Sequence, residues 1–499
     1  PLIIVHAKRC DAGICENLFV ALCENSCPLH MNIPGYLQLL KEGRLEEAFE
    51  LTLRDNPLPG TVGRICHFHC QMRCRRDTID EPVHQGEIHR YLADTLYKMG
   101  KEREIYQKLL KEKLPSTGKR ISIIGAGPAG LTAAFYLVRL GHEVTVYDDH
   151  PKAGGIMRYG IPDYRLPKDI LEKEINLIKK LGVKFRMNTR VGKDITIEEV
   201  DELSDAVFLA VGAGKDMDLE IPGKDLKGVY PGYELLEKFS LGKMKTFGKQ
   251  VVIIGGGNVA IDVARTALRL GSKVTVVYRR DRDALPANPQ ELKGAEEEGI
   301  EFMYLSAPSK IVGEKGKVIG LEIEKMELGD VDTSGRRRPV ATGKKKVIPC
   351  DTVVIAVGET VDSDFLKAYG VKTNKDGTIK ADPITLNAGP LNFFAGGDAV
   401  TGPATAAEAM GLAKRAAETI DTYLMKEKRF HRLFVKFMYK DEVPFNPESI
   451  PQNRPKEIPP TERVSNFMEI NLGYTGEQAR LEAVRCLRCD VRLVSMERR

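Results

Sequence analysis

The chain contains no tryptophan, no apolar run long enough to span a bilayer, and no excess of either charge. Each absence excludes something. Without a long apolar segment, a transmembrane role has no support in the sequence. Its 75 Lys and Arg stand against 70 Asp and Glu, so no broad nucleic-acid surface is expected. The opening PLIIVHAKRC lacks the layout of a signal peptide. A leading proline reads as the product of initiator methionine removal, and a cytoplasmic protein follows as the expectation. The chain also lacks cysteine pairs through most of its length: between residues 75 and 485 there is only Cys350, in VIPCDTVVIAVG, which reads as a buried strand residue.

The ten cysteines instead concentrate at the ends. Cys10, Cys15, Cys23, Cys27, Cys66, Cys70 and Cys74 lie in the first 74 residues, and Cys486 and Cys489 close the tail in EAVRCLRCD. In a reducing compartment such clusters are metal ligands rather than disulfides. Their density suits iron–sulfur clusters, each needing about four ligands. Zinc is the alternative.

At 499 residues the chain exceeds one core, and two to four domains are expected. Residues 33–56 and 87–100 have helical spacing of apolar residues, and LPSTGK (114–119) reads as a linker. KRISIIGAGPAGLTAAFYLVRLGHEVTVYDD (119–149) then reads as strand, glycine-rich turn, helix and strand. In GAGPAG, Gly125 permits the tight turn, Gly127 a close approach to pyrophosphate, and Gly130 close packing of helix on strand. Pro128 and Ala129 open the helix, whose free N–H groups favour anions. Asp148, at the tip of the second strand, is placed for a ribose.

The same unit returns at 249–283. There GGGNVA places Gly255, Gly257, Asn258, Val259 and Ala260 at the turn. Its second strand ends in Arg279 and Arg280, with no acid at the tip. Arginines there can hold an adenosine 2′-phosphate, which favours NADP over NAD; the competing reading is two solvated surface arginines. Two units imply two nucleotides, FAD at the first and NAD(P)H at the second. A third stretch, AGGDAV (395–400), supplies Gly397 and Asp398 toward the flavin's ribityl or phosphate end. The next helix begins near Thr405, and its positive end could face the isoalloxazine.

GAGPAG, GGIMRYGIPDYRLPKDIL (154–171), GGGNVAIDVAR and AGGD together resemble the small (β) subunit of NADPH-dependent glutamate synthase. They are similar also to the N-terminal part of dihydropyrimidine dehydrogenase and to the large subunit of electron-bifurcating NADH-dependent ferredoxin:NADP oxidoreductases. The resemblance runs from about residue 20 to 425. It implies an α/β fold with two Rossmann-like, glutathione-reductase-like domains behind an α-helical iron–sulfur domain. The expected divisions are 1–118 for the helical domain, 119–247 with 370–425 for a discontinuous FAD domain, 248–369 for the NAD(P) domain, and 426–499 for a C-terminal extension. The resemblance puts Gly155 and Arg165 near the flavin, Arg165 beside its ring.

For the cysteines it implies two [4Fe–4S] clusters. One would take Cys10, Cys15, Cys23 and Cys74, the other Cys27, Cys66, Cys70 and a non-cysteine residue. PVHQGEIHR puts His89 at that place, with His67 and His69 as competitors. Two features depart from the group. Cys10 and Cys15 are spaced C-x4-C where the glutamate synthase subunits have C-x2-C. EAVRCLRCD resembles the sequence that opens the N-terminal cluster there, yet here it ends the chain; Cys486 and Cys489 are therefore candidates to complete a site in the first domain, to join a further cluster, or to stay unligated. The implied function is an electron-transfer flavoprotein subunit. It would pass electrons from NAD(P)H through FAD and clusters to a partner subunit or ferredoxin, in a transhydrogenase-type complex or as a glutamate synthase β-subunit. A zinc-binding assembly module with a structural flavin is the reading from another class.

Overall fold

The computed structural model describes residues 20–331, 337–367, 369–440 and 447–491. Cys10 and Cys15 lie outside the described residues. The chain opens in a helical layer: α1 (Leu22–Ser26), α2 (Ile33–Lys41), α3 (Leu45–Asp55), α4 (Pro59–Ile65), α5 (Gln85–Met99) and α6 (Glu102–Lys111). The helical spacing over 33–56 is realised as two helices. Gly43 takes φ of +76° between α2 and α3, a conformation that glycine adopts without the penalty a side chain would bring. Asn32 starts α2 by accepting from Gly35 N–H at 2.9 Å. Residues 113–119 form neither helix nor strand, and Leu114 and Thr117 donate to the Arg139 and Gly141 carbonyls, which ties the linker down.

Next come β1 (Arg120–Ile124), α7 (Pro128–Arg139), β2 (Glu143–Tyr147), α8 (Lys168–Lys180), β3 (Lys184–Arg186) and β4 (Ala206–Leu209). The strands are parallel and β1 is flanked by β2 and β4. Ile121, Ile123 and Ile124 are buried, as expected of a strand covered on both faces.

The chain crosses into a second sheet through β5 (Val229–Pro231), β6 (Gln250–Ile254), α9 (Asn258–Arg269), β7 (Lys273–Val277), α10 (Pro289–Glu297) and β8 (Glu301–Met303). Three antiparallel strands follow, β9 (Ser306–Glu314), β10 (Lys317–Val331) and β11 (Arg337–Pro349), and then β12 (Thr352–Ile355). The order of the second sheet is β5-β12-β6-β7-β8. β5 pairs into this sheet although it lies ahead of the division expected at 248. Cys350 is buried in the link between β11 and β12 rather than within a strand.

The chain returns as β13 (Phe393–Ala395), which completes the first sheet in the order β13-β4-β1-β2-β3, and as α11 (Ala406–Met425), which packs on α7. In each sheet the central strand has neighbours from opposite crossovers. The crevice beyond its C-terminal end is where an α/β sheet binds ligands.

Two joints hold the helical layer to this body. Glu174, fully buried on α8, accepts from Gly60 and Thr61 N–H at 2.6 and 3.1 Å and from the Tyr97 hydroxyl at 3.0 Å. The carboxyl thus caps α4, where a helix N-terminus favours negative charge. Lys414 on α11 donates to Leu29 O at 2.8 Å and pairs with Asp55. The tail then runs back over the molecule. Arg463, buried, pairs with Glu297 and Glu298 on the second unit. The helix α12 (Gly476–Val484), opened by a capping box at Thr475, packs on α2 and α5 of the first layer. No helix among the described residues is long and apolar enough to cross a membrane.

Candidate functional site

The first glycine-rich turn sits at the end of β1. Gly125 has φ of +107°, and a Cβ there would lie 2.2 Å from Ala210 O. A Cβ on Gly130 would lie 1.9 Å from Gly125 O. Gly127, by contrast, has open space, with Gly155 Cα the nearest atom at 3.9 Å from its ideal Cβ. So two glycines are needed by the turn itself, while Gly127 lines a cradle that the protein does not fill. Gly397 closes that cradle, its ideal Cβ falling 2.8 Å from the Ala129 side chain. Asp398 lies beside it with Oδ1 buried and without a partner. Burial pushes its carboxyl up to about 6. An orphaned buried acceptor of this kind fits a ligand hydroxyl, and the cradle at the start of α7 fits a pyrophosphate.

Other predicted residues are partly engaged by the protein. Asp148 Oδ2 accepts from Ala126 N–H at 2.7 Å and Oδ1 from His150 N–H at 2.9 Å, so the carboxylate braces the turn from the strand tip. Thr405 caps α11 as expected, within a capping box formed with Glu408. The acid partly offsets the positive helix end that the sequence offered to the isoalloxazine. Arg165, expected beside the flavin ring, has a buried guanidinium that donates to Asp262 at 2.6 and 2.8 Å and lies 3.1 Å from Glu291 as an ion pair. It clamps the DYRLP segment to α9 and α10. Asp262 carries no motif signal, and only its place among the apolar residues of NVAIDVAR marked it as facing inward.

The second turn repeats the pattern. An ideal Cβ on Gly255 would meet Ala356 O at 2.0 Å, whereas one on Gly257 would meet nothing within 4 Å. Asn258 begins α9 next to Val259, and its Oδ1 accepts from Asn288 N–H at 2.9 Å. The two arginines of the strand tip part company. Arg280 is buried, with Nε donating to Arg337 O at 3.2 Å on β11. Arg279 is exposed. The side chains thus differ in environment: Arg279 is exposed, and Arg280 is fastened to the antiparallel sheet through Arg337 O.

The cysteines form two neighbouring groups. Cys66 and Cys70 follow α4, and Cys27 lies beside them with the adjoining Pro28 carbonyl against Gly411 of α11. Cys23, Cys74, Cys486 and Cys489 line one cavity, walled by Pro34, Leu37 and Val83. Burial pushes the Cys66 and Cys486 thiols up to about 12. Among the described residues no three cysteine sulfurs lie within 4.8 Å of one another. A tetrahedral zinc with Zn–S of about 2.3 Å holds its sulfurs about 3.8 Å apart.

His89 is buried on α5, its Nδ1 3.0 Å from Pro59 O. A carbonyl only accepts, so the ring proton sits on Nδ1 and Nε2 carries the lone pair. Its rivals point elsewhere. His67 Nε2 lies 3.5 Å from Asn258 Nδ2, and His69 Nε2 lies 3.6 Å from Glu408. The loop from Cys66 to Cys70 therefore touches the first residue of α9 and the first turn of α11, the mouths of both nucleotide-binding units.

The sequence matches the family described as pyridine nucleotide-disulphide oxidoreductase over residues 119–413, more than half of the chain. It matches the one described as dihydropyrimidine dehydrogenase domain II, 4Fe-4S cluster, over residues 2–101. The NADP(+)-dependent formate dehydrogenase subunit beta of Moorella thermoacetica is 39% identical over 96% of this chain and 72% of that protein. The NADPH-Fe(3+) oxidoreductase subunit beta of Geobacter sulfurreducens (strain DL-1 / KN400) is 36% identical over 94% and 75%. The glutamate synthase [NADPH] small chain of Escherichia coli is 35% identical over 84% and 91%. Among solved structures, Mycobacterium tuberculosis FprA in complex with NADPH shares the fold, with a TM-score of 0.54 and 23% identity over 62% of this chain and 85% of that one. The chain belongs to the pyridine nucleotide-disulphide oxidoreductases, in the group that includes glutamate synthase small chains, and is an NAD(P)H-dependent oxidoreductase whose FAD/NAD(P)-binding region follows a 4Fe-4S domain.

Proposed function

We propose that the chain takes hydride from NADPH at its second nucleotide unit and delivers electrons, through FAD and two [4Fe–4S] clusters, to a partner subunit in the cytoplasm. The observation that carries this reading is the position of the Cys66–Cys70 loop against the N-termini of both α9 and α11. A flavin supplies the conversion of a two-electron hydride into single electrons; the protein supplies position. Gly125, Gly127, Gly130, Gly155 and Gly397 would shape the pyrophosphate cradle, and Asp398 Oδ1 would accept from a ribityl hydroxyl. Arg165 acts as a positioning residue, holding the nicotinamide unit at a set angle through Asp262 and Glu291. Cys27, Cys66 and Cys70 stand on the nucleotide side of the cysteine centre. The second group continues from them, since Cys23 has Cys70 as well as Cys74, Cys486 and Cys489 for neighbours.

The relatives bear on the acceptor. The formate dehydrogenase and Fe(3+) oxidoreductase β-subunits match 94% or more of the chain, whereas glutamate synthase small chains match 81–84%. That extra span favours a multi-subunit NADPH-linked complex over a glutamate synthase partner.

Anaerobically purified protein is expected to hold one FAD with about eight iron and eight sulfide per chain. Zinc without sulfide would overturn the electron-transfer reading.

His89 fills the fourth position beside Cys27, Cys66 and Cys70 in this proposal. Its support is the Nδ1–H donated to a backbone carbonyl, the arrangement that orients a histidine ligand and raises its basicity. His89→Ala is expected to shift or remove one of two reduced-cluster signals in electron paramagnetic resonance. An unchanged spectrum would pass the position to His67 or His69.

A further inference from the structure

We propose that Cys486 and Cys489 are ligands, together with Cys23 and Cys74, of one four-cysteine iron–sulfur cluster, so that the tail of the chain completes a metal centre in its first domain. The inference rests on the reading of the cysteines as cluster ligands and adds which four make the outer set. The four sulfur-bearing side chains line one common cavity, and Cys27, Cys66 and Cys70 are not among its walls.

The tail is fastened at this place by buried polar groups. Arg485, fully buried and directly before Cys486, donates to Asp80 at 2.9 Å, to the Glu81 and Pro82 carbonyls at 2.6 and 3.2 Å, and to Ile450 O at 2.9 Å. Arg76, two residues after Cys74, returns a bond to Arg485 O at 3.3 Å and pairs with the same Asp80. Glu482, also fully buried, accepts from the backbone N–H of His84 and of Asn453, both at 2.8 Å. The bonds to Arg76, Asp80, Glu81, Pro82 and His84 fix the Cys486 loop to the segment that follows Cys74, and those to Ile450 and Asn453 tie it to an earlier part of the tail. A chance resting place for a tail would not bury so many charged hydrogen bonds.

The loop itself has a sulfur-binding shape. Arg488 N–H points to Cys486 Sγ at 3.5 Å, as Phe68 N–H points to Cys66 Sγ at 3.3 Å. Both Arg488 and Phe68 take left-handed φ, +49° and +54°. That conformation is disfavoured for a residue with a side chain, and in each loop it aims an amide at a cysteine sulfur. Hydrogen bonds to the sulfurs are among the groups that set a cluster's potential. The two loops, far apart in sequence, are thus the same turn. Four cysteines complete one cluster, so this set leaves no place in it for Cys10 and Cys15.

The test uses the full chain, purified without oxygen, as wild type, as Cys486→Ser/Cys489→Ser and as Cys10→Ser/Cys15→Ser, with iron, sulfide and FAD measured per chain. The tail variant is expected to lose about half of its iron and sulfide and one of two reduced-cluster signals while keeping its FAD. The Cys10/Cys15 variant is expected to keep all of them. The proposal is overturned if the tail variant keeps its full iron, if the Cys10/Cys15 variant loses half, or if the wild type holds about twelve iron, since the tail pair would then serve a third cluster. Should the tail double variant fail to fold, Cys489→Ser alone serves: an altered signal supports ligation and an unaltered spectrum refutes it. A wild type without iron and sulfide would instead overturn the electron-transfer reading itself.

Discussion

Gly130→Val yields a protein with neither bound flavin nor the full stability of the apo wild type. The added Cβ falls 1.9 Å from Gly125 O and 3.3 Å from Ile123, both in the rigid turn and strand, so the backbone must move. Overpacking of this kind costs about 1–3 kcal/mol before the further branches of valine are placed. Gly127→Val separates the two consequences. Its Cβ meets only Gly155 Cα, at 3.9 Å, so the fold tolerates it, and its side chain occupies the space kept for the pyrophosphate. Flavin absorbance and melting of the two apoproteins read the difference: flavin lost in both, melting lowered in Gly130→Val alone. Full flavin in Gly127→Val would refute the cradle. The second motif has an alanine, Ala260, where the first has Gly130, so the closeness is a property of the first turn rather than of every such turn.

Arg279→Ala lowers kcat/KM for NADPH by about 10- to 100-fold and leaves NADH nearly unchanged. A hydrogen bond to a charged group contributes roughly 1.5–3 kcal/mol, and only NADPH carries the 2′-phosphate that Arg279 would hold. Arg280→Ala behaves differently. Its guanidinium is buried against Arg337 O, so its loss lowers the melting temperature and affects both nucleotides alike. Equal losses with both nucleotides in Arg279→Ala would sink the 2′-phosphate assignment.

These contrasts show where the sequence was readable. Gly125 and Gly130 were recognisable because their requirement is local: a turn with positive φ at Gly125 and a helix that starts three residues later at Pro128 leave a fixed pattern. The start of α11 at Thr405 was readable for the same reason, since a capping box spans only four residues. Arg279 and Arg280 were adjacent and equal in the sequence. What parted them was the antiparallel sheet of β9, β10 and β11, whose Arg337 carbonyl draws Arg280 inward. Arg165 shows the same limit. Its segment was recognised, but its carboxylate partners Asp262 and Glu291 lie 97 and 126 residues away, outside the reach of any local pattern.

The sequence by itself determined that this protein has two dinucleotide-binding units and a cysteine-rich helical domain, because glycine turns, strand tips and cysteine spacings are short-range constraints on backbone and side-chain chemistry. Only the tertiary structure decided how these parts meet: that the Cys66–Cys70 loop lies between α9 and α11, and that the tail brings Cys486 and Cys489 to Cys23 and Cys74. The reason is physical. Those encounters are made by buried Arg485, Arg76, Glu482 and Glu174, whose need for hydrogen bonds inside the protein fixes which distant segments must pack together, and that need is met only when the whole chain has folded.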